Sequence, residues 1–195
     1  MNLSEPKKLL WHVHRARSIL RRYFVTNGFD GALTMLGLMV GFHTRGSGDT
    51  TLALSAAMGA AIALFMSGVS SAYLSESAER RKELHDLEKA LITDLKQSDY
   101  GDASRYLPVI VALVNGFSPL FISLVIITPL WLSGMGFYLP LSPFLTAILL
   151  ALACTFLLGL FLGSISKTFW LWAGLRSLAI ALLTTAIIIL FGSGW

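Results

Sequence analysis

Five long apolar runs dominate this sequence, and they limit what the chain can fold into. They cover roughly residues 24–43, 51–74, 107–132, 144–166 and 169–191, and a helix needs about 20 apolar residues to cross a bilayer core. Only 13% of the residues are charged, whereas a soluble domain carries about 25%. The sequence therefore predicts an all-α integral membrane protein with five transmembrane helices.

Basic residues are distributed unevenly on the two sides of these predicted spans. One side holds Lys7, Lys8, Arg15, Arg17, Arg21 and Arg22 before the first run, and Arg80, Arg81, Lys82, Lys89, Lys96 and Arg105 between the second and third. The other side holds Arg45 alone. Because loops rich in Lys and Arg stay in the cytoplasm, we expect a cytoplasmic N-terminus and an external C-terminus. With its charges placed in this way, the chain gives no sign of a nucleic-acid partner.

The chain divides at its first basic segment. Residues 1–22 are predicted as an amphipathic helix on the membrane surface, because Leu9, Val13 and Ile19 recur at helical spacing; a disordered basic tail is the alternative. Residues 23–195 form the transmembrane domain, into which a short cytoplasmic helical segment, residues 75–105, is inserted.

Three acidic residues of that inserted segment are candidate metal collectors. Glu79, Glu83 and Asp86 follow one another at i, i+4 and i+7, on one helix face. One interpretation is a surface that gathers cations for transport. The other is a solvated helix with opposite-charge pairs, such as Glu79 with Lys82 and Lys82 with Asp86.

Asp30 is the one acidic residue well inside an apolar run. A charged Asp at the centre of a membrane helix costs about 2.5–3.5 kcal/mol, and such a residue marks an ion or proton path. Asn27 and Thr34 share its helix face and are predicted to line that path. Two alternatives remain at this stage: Asp30 lies near the interface and pairs with a basic side chain, or it caps the helix.

Two methionines of the second run are further candidate ligands. Met58 and Met66 fall on one helical stripe with Ile62 between them. A carboxylate and thioethers together suit a borderline or soft divalent metal, although methionines at this spacing are usually packing residues.

Three segments resemble the vacuolar iron transporter family and its small prokaryotic members. They are NGFDGALTMLGLMVG in the first run, MSGVSSAYLSESAER at the end of the second, and FLLGLFLGSISKTFWLWAGLRSLAIALLTTAIIILFG across the last two. The resemblance covers most of residues 22–192.

This resemblance implies a homodimer in a prokaryotic cell membrane that exchanges Fe²⁺ or Mn²⁺ for protons and moves metal out of the cytoplasm. Asp30 matches the family's first-span aspartate, a metal and proton ligand, and Met66 matches a second-span methionine. Met58 stands where the family usually has a glutamate, and the large glutamate-rich domain of the plant members is absent. No cofactor is implied beyond the transported metal.

Two other functions compete with transport. In a membrane interaction or assembly protein, Asp30 would make only a structural ion pair. An intramembrane enzyme has little support, because no second catalytic acid or histidine lies well inside a run.

Overall fold

The chain folds into five consecutive α-helices. The computed structural model describes residues 5–46, 49–95, 98–138, 140–166 and 169–192, with only the backbone described for residues 5–17 and 99. The helices are α1 (Glu5–Thr44), α2 (Thr50–Leu91), α3 (Asp99–Gly134), α4 (Pro143–Ile165) and α5 (Trp170–Gly192). Within this described part, α2, α3, α4 and α5 are long and apolar enough to cross a membrane. These four helices indicate a multi-pass membrane protein.

Local capping groups explain where two of these helices begin. The Asp49 carboxylate accepts hydrogen bonds from the backbone N–H groups of Thr51 and Leu52, both at 3.0 Å, at the start of α2. The Ser142 hydroxyl accepts one from Leu145 N–H at 3.3 Å at the start of α4. Each cap satisfies backbone donors that have no partner inside the helix.

Helix α1 runs without a break from the basic N-terminal segment into the first apolar run. Residues 5–22 are therefore helical, as predicted, but their position on a membrane surface stays a prediction. The second half of α1 contains Asn27, Asp30 and His43, whose polarity explains why α1 is not among the four most apolar helices. The fifth span also stays a prediction.

Helix α2 extends well beyond its apolar run. It continues to Leu91, so the first part of the charged 75–105 segment prolongs the second span as one long helix. A short connection follows, and α3 begins at Asp99.

The helices form two compact units. The first comprises Met1–Phe24 and Phe65–Phe117. Its core contains side chains from α1, α2 and α3: Ala72, Leu107, Val111 and Ala112, with Ile19, Leu20, Tyr23 and Val69 packed against them. The buried Asn115 amide donates a hydrogen bond of 2.8 Å to the Gly68 carbonyl, which ties α3 to α2.

The second unit comprises Val25–Leu64 and Ser118–Trp195. Its α4 and α5 form the antiparallel hairpin that the short connection at 166–168 predicts. A methyl group on Gly159 would meet Ser177, and one on Gly163 would lie 2.8 Å from the Ala173 Cβ. Small residues at the contact let the two backbones pack closely.

Candidate functional site

The two glycines on either side of Asp30 pack α1 against neighbouring helices of the second unit. A Cβ atom on Gly31 would lie 2.7 Å from the Pro119 carbonyl oxygen and 2.8 Å from its Cα. A Cβ atom on Gly28 would lie 3.1 Å from the Ser118 hydroxyl and 3.2 Å from Leu158. The segment that carries Asp30 is therefore held against α3 and α4, with almost no space between the backbones of α1 and α3.

These contacts place Asp30 near the middle of the apolar helices. Pro119 lies near the centre of the 107–132 run of α3. A Cβ atom on Gly37 of α1 would lie 3.4 Å from Ile188 of α5. Because α5 runs in the same direction as α1, Asp30 lies about level with Ala181, the midpoint of Trp170–Gly192. Helix α1 begins far before Asp30, which excludes the helix-cap alternative.

The Asp30 side chain is exposed on the surface of the chain. Gly28 and Gly31 are buried, whereas Asp30 and Thr26 are exposed. Asn27 and Thr34, the other predicted path-lining residues, are half-buried. Among the residues that the structure describes, none pairs with the Asp30 carboxylate by a hydrogen bond or a salt bridge. Within the described part of the chain, Asp30 is thus an exposed carboxylate without a hydrogen-bond or salt-bridge partner.

The two predicted methionine ligands of α2 differ in how far they are exposed. Met58 is half-buried, and Met66 is 55% exposed. The described part of the chain contains no group of three or more His, Cys, Asp or Glu residues that could hold a metal ion.

Helix α2 exposes an unusual surface within its apolar run. Its exposed residues there include small and polar ones: Ser55, Gly59, Ser67, Ser70 and Ser71. By contrast, α5 exposes bulky aliphatic side chains such as Leu183, Ile187 and Leu190. Bulky aliphatic residues such as those of α5 are typical of surfaces that contact lipid tails. Small and polar residues such as those of α2 are typical of helix–helix contacts or polar paths.

The three predicted metal collectors differ in their surroundings. Glu79 and Asp86 are exposed, whereas Glu83 makes a salt bridge to Arg80 and accepts a 3.4 Å hydrogen bond from the Tyr100 hydroxyl. Neither of the predicted pairs with Lys82 is found among the described residues. Among the described residues, the ion pairs of α2 form with Arg80 instead, which contacts Glu76 and Glu83.

Glu76 is a buried acidic residue that sequence reasoning missed. It is 8% exposed, accepts a 3.3 Å hydrogen bond from the Tyr23 hydroxyl, and lies 3.4 Å from an Arg80 guanidinium nitrogen. Burial, with the Glu76 carboxylate beside it, raises the pKa of the Tyr23 phenol, so this hydroxyl keeps the proton that it donates. The spacing of Glu76, Arg80 and Glu83 at i, i+4 and i+7 was the available signal.

These side chains form a polar network across the first unit. Tyr23 belongs to α1, the two glutamates and Arg80 to α2, and Tyr100 to α3. The network therefore joins all three helices of that unit, outside the apolar runs.

Comparison with known proteins gives one relative. The chain is 30% identical over 164 residues to the uncharacterized protein MJ0645 of Methanocaldococcus jannaschii, and the alignment covers 83% of this chain and 82% of the archaeal one. The chain belongs to the family of MJ0645. No protein-family model matches it, and no solved structure matches it. The name of MJ0645 states no activity, so this family membership does not indicate a function.

Proposed function

We propose that this chain is a divalent-metal transporter that moves Fe²⁺ or Mn²⁺ out of the cytoplasm in exchange for protons, with Asp30 in the pathway. The observation that carries the proposal is an unpaired, outward-facing carboxylate at the mid-depth of the apolar helices. The resemblance of the first-span segment to the vacuolar iron transporters supports it.

Exposure of Asp30 to lipid would be costly. An ionised carboxylate at the bilayer centre costs about 2.5–3.5 kcal/mol, and intramembrane charges almost always face a bundle interior or a water-filled cavity. Since Asp30 is exposed on its own subunit, such an environment has to come from a second copy. The proposal therefore includes a homodimer in which the Asp30 faces of two α1 helices lie towards each other.

The glycines of α1 support this dimer indirectly. Gly28 and Gly31 contact α3 and α4 of the same chain. This packing turns Asp30 outward. The small and polar surface of α2 is the second surface proposed to face the partner or the path, and it carries Met66.

Helix α1 completes the proposed five-span arrangement. Its second half contacts α3, α4 and α5 at successive levels, from Gly28 through Gly37 to Thr44 near Gly192. A helix packed along three apolar helices lies in the same layer as they do, although its polar residues lower its own hydropathy. The N-terminus and the α2–α3 connection are proposed to be cytoplasmic.

Coupling follows from the chemistry of one carboxylate. Metal binding needs the deprotonated group, so a proton and a divalent cation compete for the same Asp30 oxygens. Metal would leave on the outside as Asp30 takes up a proton. Glu79 and Asp86, both exposed, remain available to attract cations at the cytoplasmic side.

The test is transport in proteoliposomes that contain a pH-sensitive dye. Fe²⁺, Mn²⁺, Co²⁺, Zn²⁺ and Ca²⁺ are offered in turn, and metal movement is measured with the pH change. Asp30→Asn is expected to abolish metal-coupled proton movement while the protein stays folded and dimeric, and Met66→Ala to weaken affinity. Asp49→Asn is the matched control, because Asp49 caps α2 and Asn caps a helix equally well.

Two results would contradict the proposal. One is coupled transport by Asp30→Asn at the wild-type rate, and the other is a wild-type protein that moves none of the five metals. If Asp30→Asn does not fold, Asp30→Glu is measured in the same transport assay, because this variant keeps the negative charge at position 30. Loss of folding in both variants would favour a structural ion pair in an assembly protein.

A further inference from the structure

One arginine interrupts the exposed apolar surface of α5. Arg176 is exposed, and it follows Trp172 by one helical turn. The opposite side of α5 is buried through Gly174, Ser177 and Ala181, so the Arg176 side chain lies on the outer surface of the second unit. The stripe that contains it consists of exposed residues along the whole helix: Trp172, Arg176, Ile180, Leu183, Ile187 and Leu190.

This stripe has the composition of a lipid-facing surface. Its aliphatic members are 47–72% exposed. Exposed Ala179 and Ala186 lie beside them, and Arg176 is the charged residue of this surface. The stripe differs from the exposed surface of α2, which carries serines and a glycine. Bulky aliphatic side chains over several turns match hydrocarbon tails, whereas helix–helix contacts in membranes favour small residues.

Arg176 has no acidic partner within the part of the chain that the structure describes. All eleven acidic residues of the chain lie within its first 102 residues, and the described residues include no salt bridge or hydrogen bond to this guanidinium. An unpaired guanidinium in hydrocarbon is costly, so its flexible stem is expected to carry it to the membrane interface.

The position of Arg176 on α5 brings that interface within reach. Helical side chains point towards the N-terminus of their helix, and one turn is about 5.4 Å, so the guanidinium extends to the level of Trp172. Trp172 is 63% exposed, and Trp170 at the first residue of α5 is 50% exposed. Exposed tryptophans at one end of an apolar helix mark the headgroup level of a bilayer.

We propose that Arg176 and Trp172 bind the phosphate and glycerol region of an anionic phospholipid, in the leaflet that contacts the start of α5. A guanidinium matches a phosphate group with two parallel N–H···O hydrogen bonds, and the indole packs beside the acyl-chain boundary. This lipid site is on α5, whereas Asp30 is on α1, and it does not depend on metal transport.

Spin-labelled lipids test the proposal on the wild-type protein in vesicles. The association of labelled phosphatidylglycerol is compared with that of labelled phosphatidylcholine. One basic residue at the surface is worth about fivefold in favour of an anionic lipid, and we expect a preference of that size. Equal association of the two lipids would overturn the proposal without any variant.

Variants then assign the preference to one residue. Arg176→Gln is expected to lose the preference for phosphatidylglycerol, and Trp172→Leu is expected to reduce this preference. Arg81→Gln is the matched control, because Arg81 is an exposed arginine on α2 beyond its apolar run. A preference that survives Arg176→Gln, or that disappears equally in Arg81→Gln, refutes the assignment.

Two further measurements exclude other ligands. Inorganic phosphate is added to the vesicles, and the preference for phosphatidylglycerol is expected to persist; full competition would indicate a site for soluble anions instead. The oligomeric state of Arg176→Gln is also measured. A change in that state, together with unchanged lipid preference, would show that Arg176 contacts protein.

Discussion

Replacing Gly31 with alanine tests the packing that turns Asp30 outward. The new Cβ atom would lie 2.7 Å from the Pro119 carbonyl oxygen and 2.8 Å from the Pro119 Cα. Both are backbone atoms in the middle of a helix, so no side chain can move aside. Helices α1 and α3 would have to separate locally by about 0.7 Å to reach ordinary van der Waals contact.

The size of the effect follows from comparison with a second glycine of the same helix. Overpacking of this kind costs about 1–3 kcal/mol, whereas alanine gains up to about 1 kcal/mol over glycine in helix propensity. A Cβ atom on Gly41 would meet no other atom within 4 Å, so Gly41→Ala receives the same propensity gain without the clash. The difference between the two variants is therefore the cost of the clash alone, about 1–3 kcal/mol.

The assay is thermal unfolding of both variants in detergent, followed by intrinsic fluorescence. For a chain of this size, a change of 1 kcal/mol shifts Tm by about 2–4 °C. We expect Gly31→Ala to unfold about 2–12 °C below Gly41→Ala. Gly37→Ala, whose Cβ would lie 3.4 Å from the flexible end of Ile188, should behave like the control. If Gly31→Ala unfolds at the same temperature as Gly41→Ala, α1 and α3 do not meet as described.

Two further predictions concern the first unit and the topology. In a double-mutant cycle of Tyr23→Phe and Glu76→Gln, the free energies of unfolding should be non-additive by about 0.5–1.5 kcal/mol, because the two groups share a hydrogen bond; additive values would mean that the bond does not form. A reporter fused after Trp195 should read as extracytoplasmic and one inserted in the 90–100 segment as cytoplasmic, and the opposite result would reverse the proposed direction of transport.

The candidate site was only partly predictable from the sequence. Asp30 was identified because a single carboxylate in an apolar run is conspicuous without any knowledge of the fold. The orientation of the Asp30 side chain could not be predicted, because glycines occur on more than one side of the helix near Asp30 and each of these sides could have faced a partner. Glu76 was missed because it lies in a charged stretch where most side chains are solvated, and only the packing of Tyr23 onto α2 shows that it is buried.

The sequence alone determined the helices, because helix formation in lipid is a local requirement. Each backbone group must bond within its own segment, so apolar length predicts α2, α3, α4 and α5, and the short connection at 166–168 predicts the α4–α5 hairpin. Only the tertiary structure decided which side of each helix is buried. Helices that are apolar all round carry no stripe to mark an inner face, so the contacts of Gly31 with Pro119 and of Glu76 with Tyr23 depend on packing between distant parts of the chain.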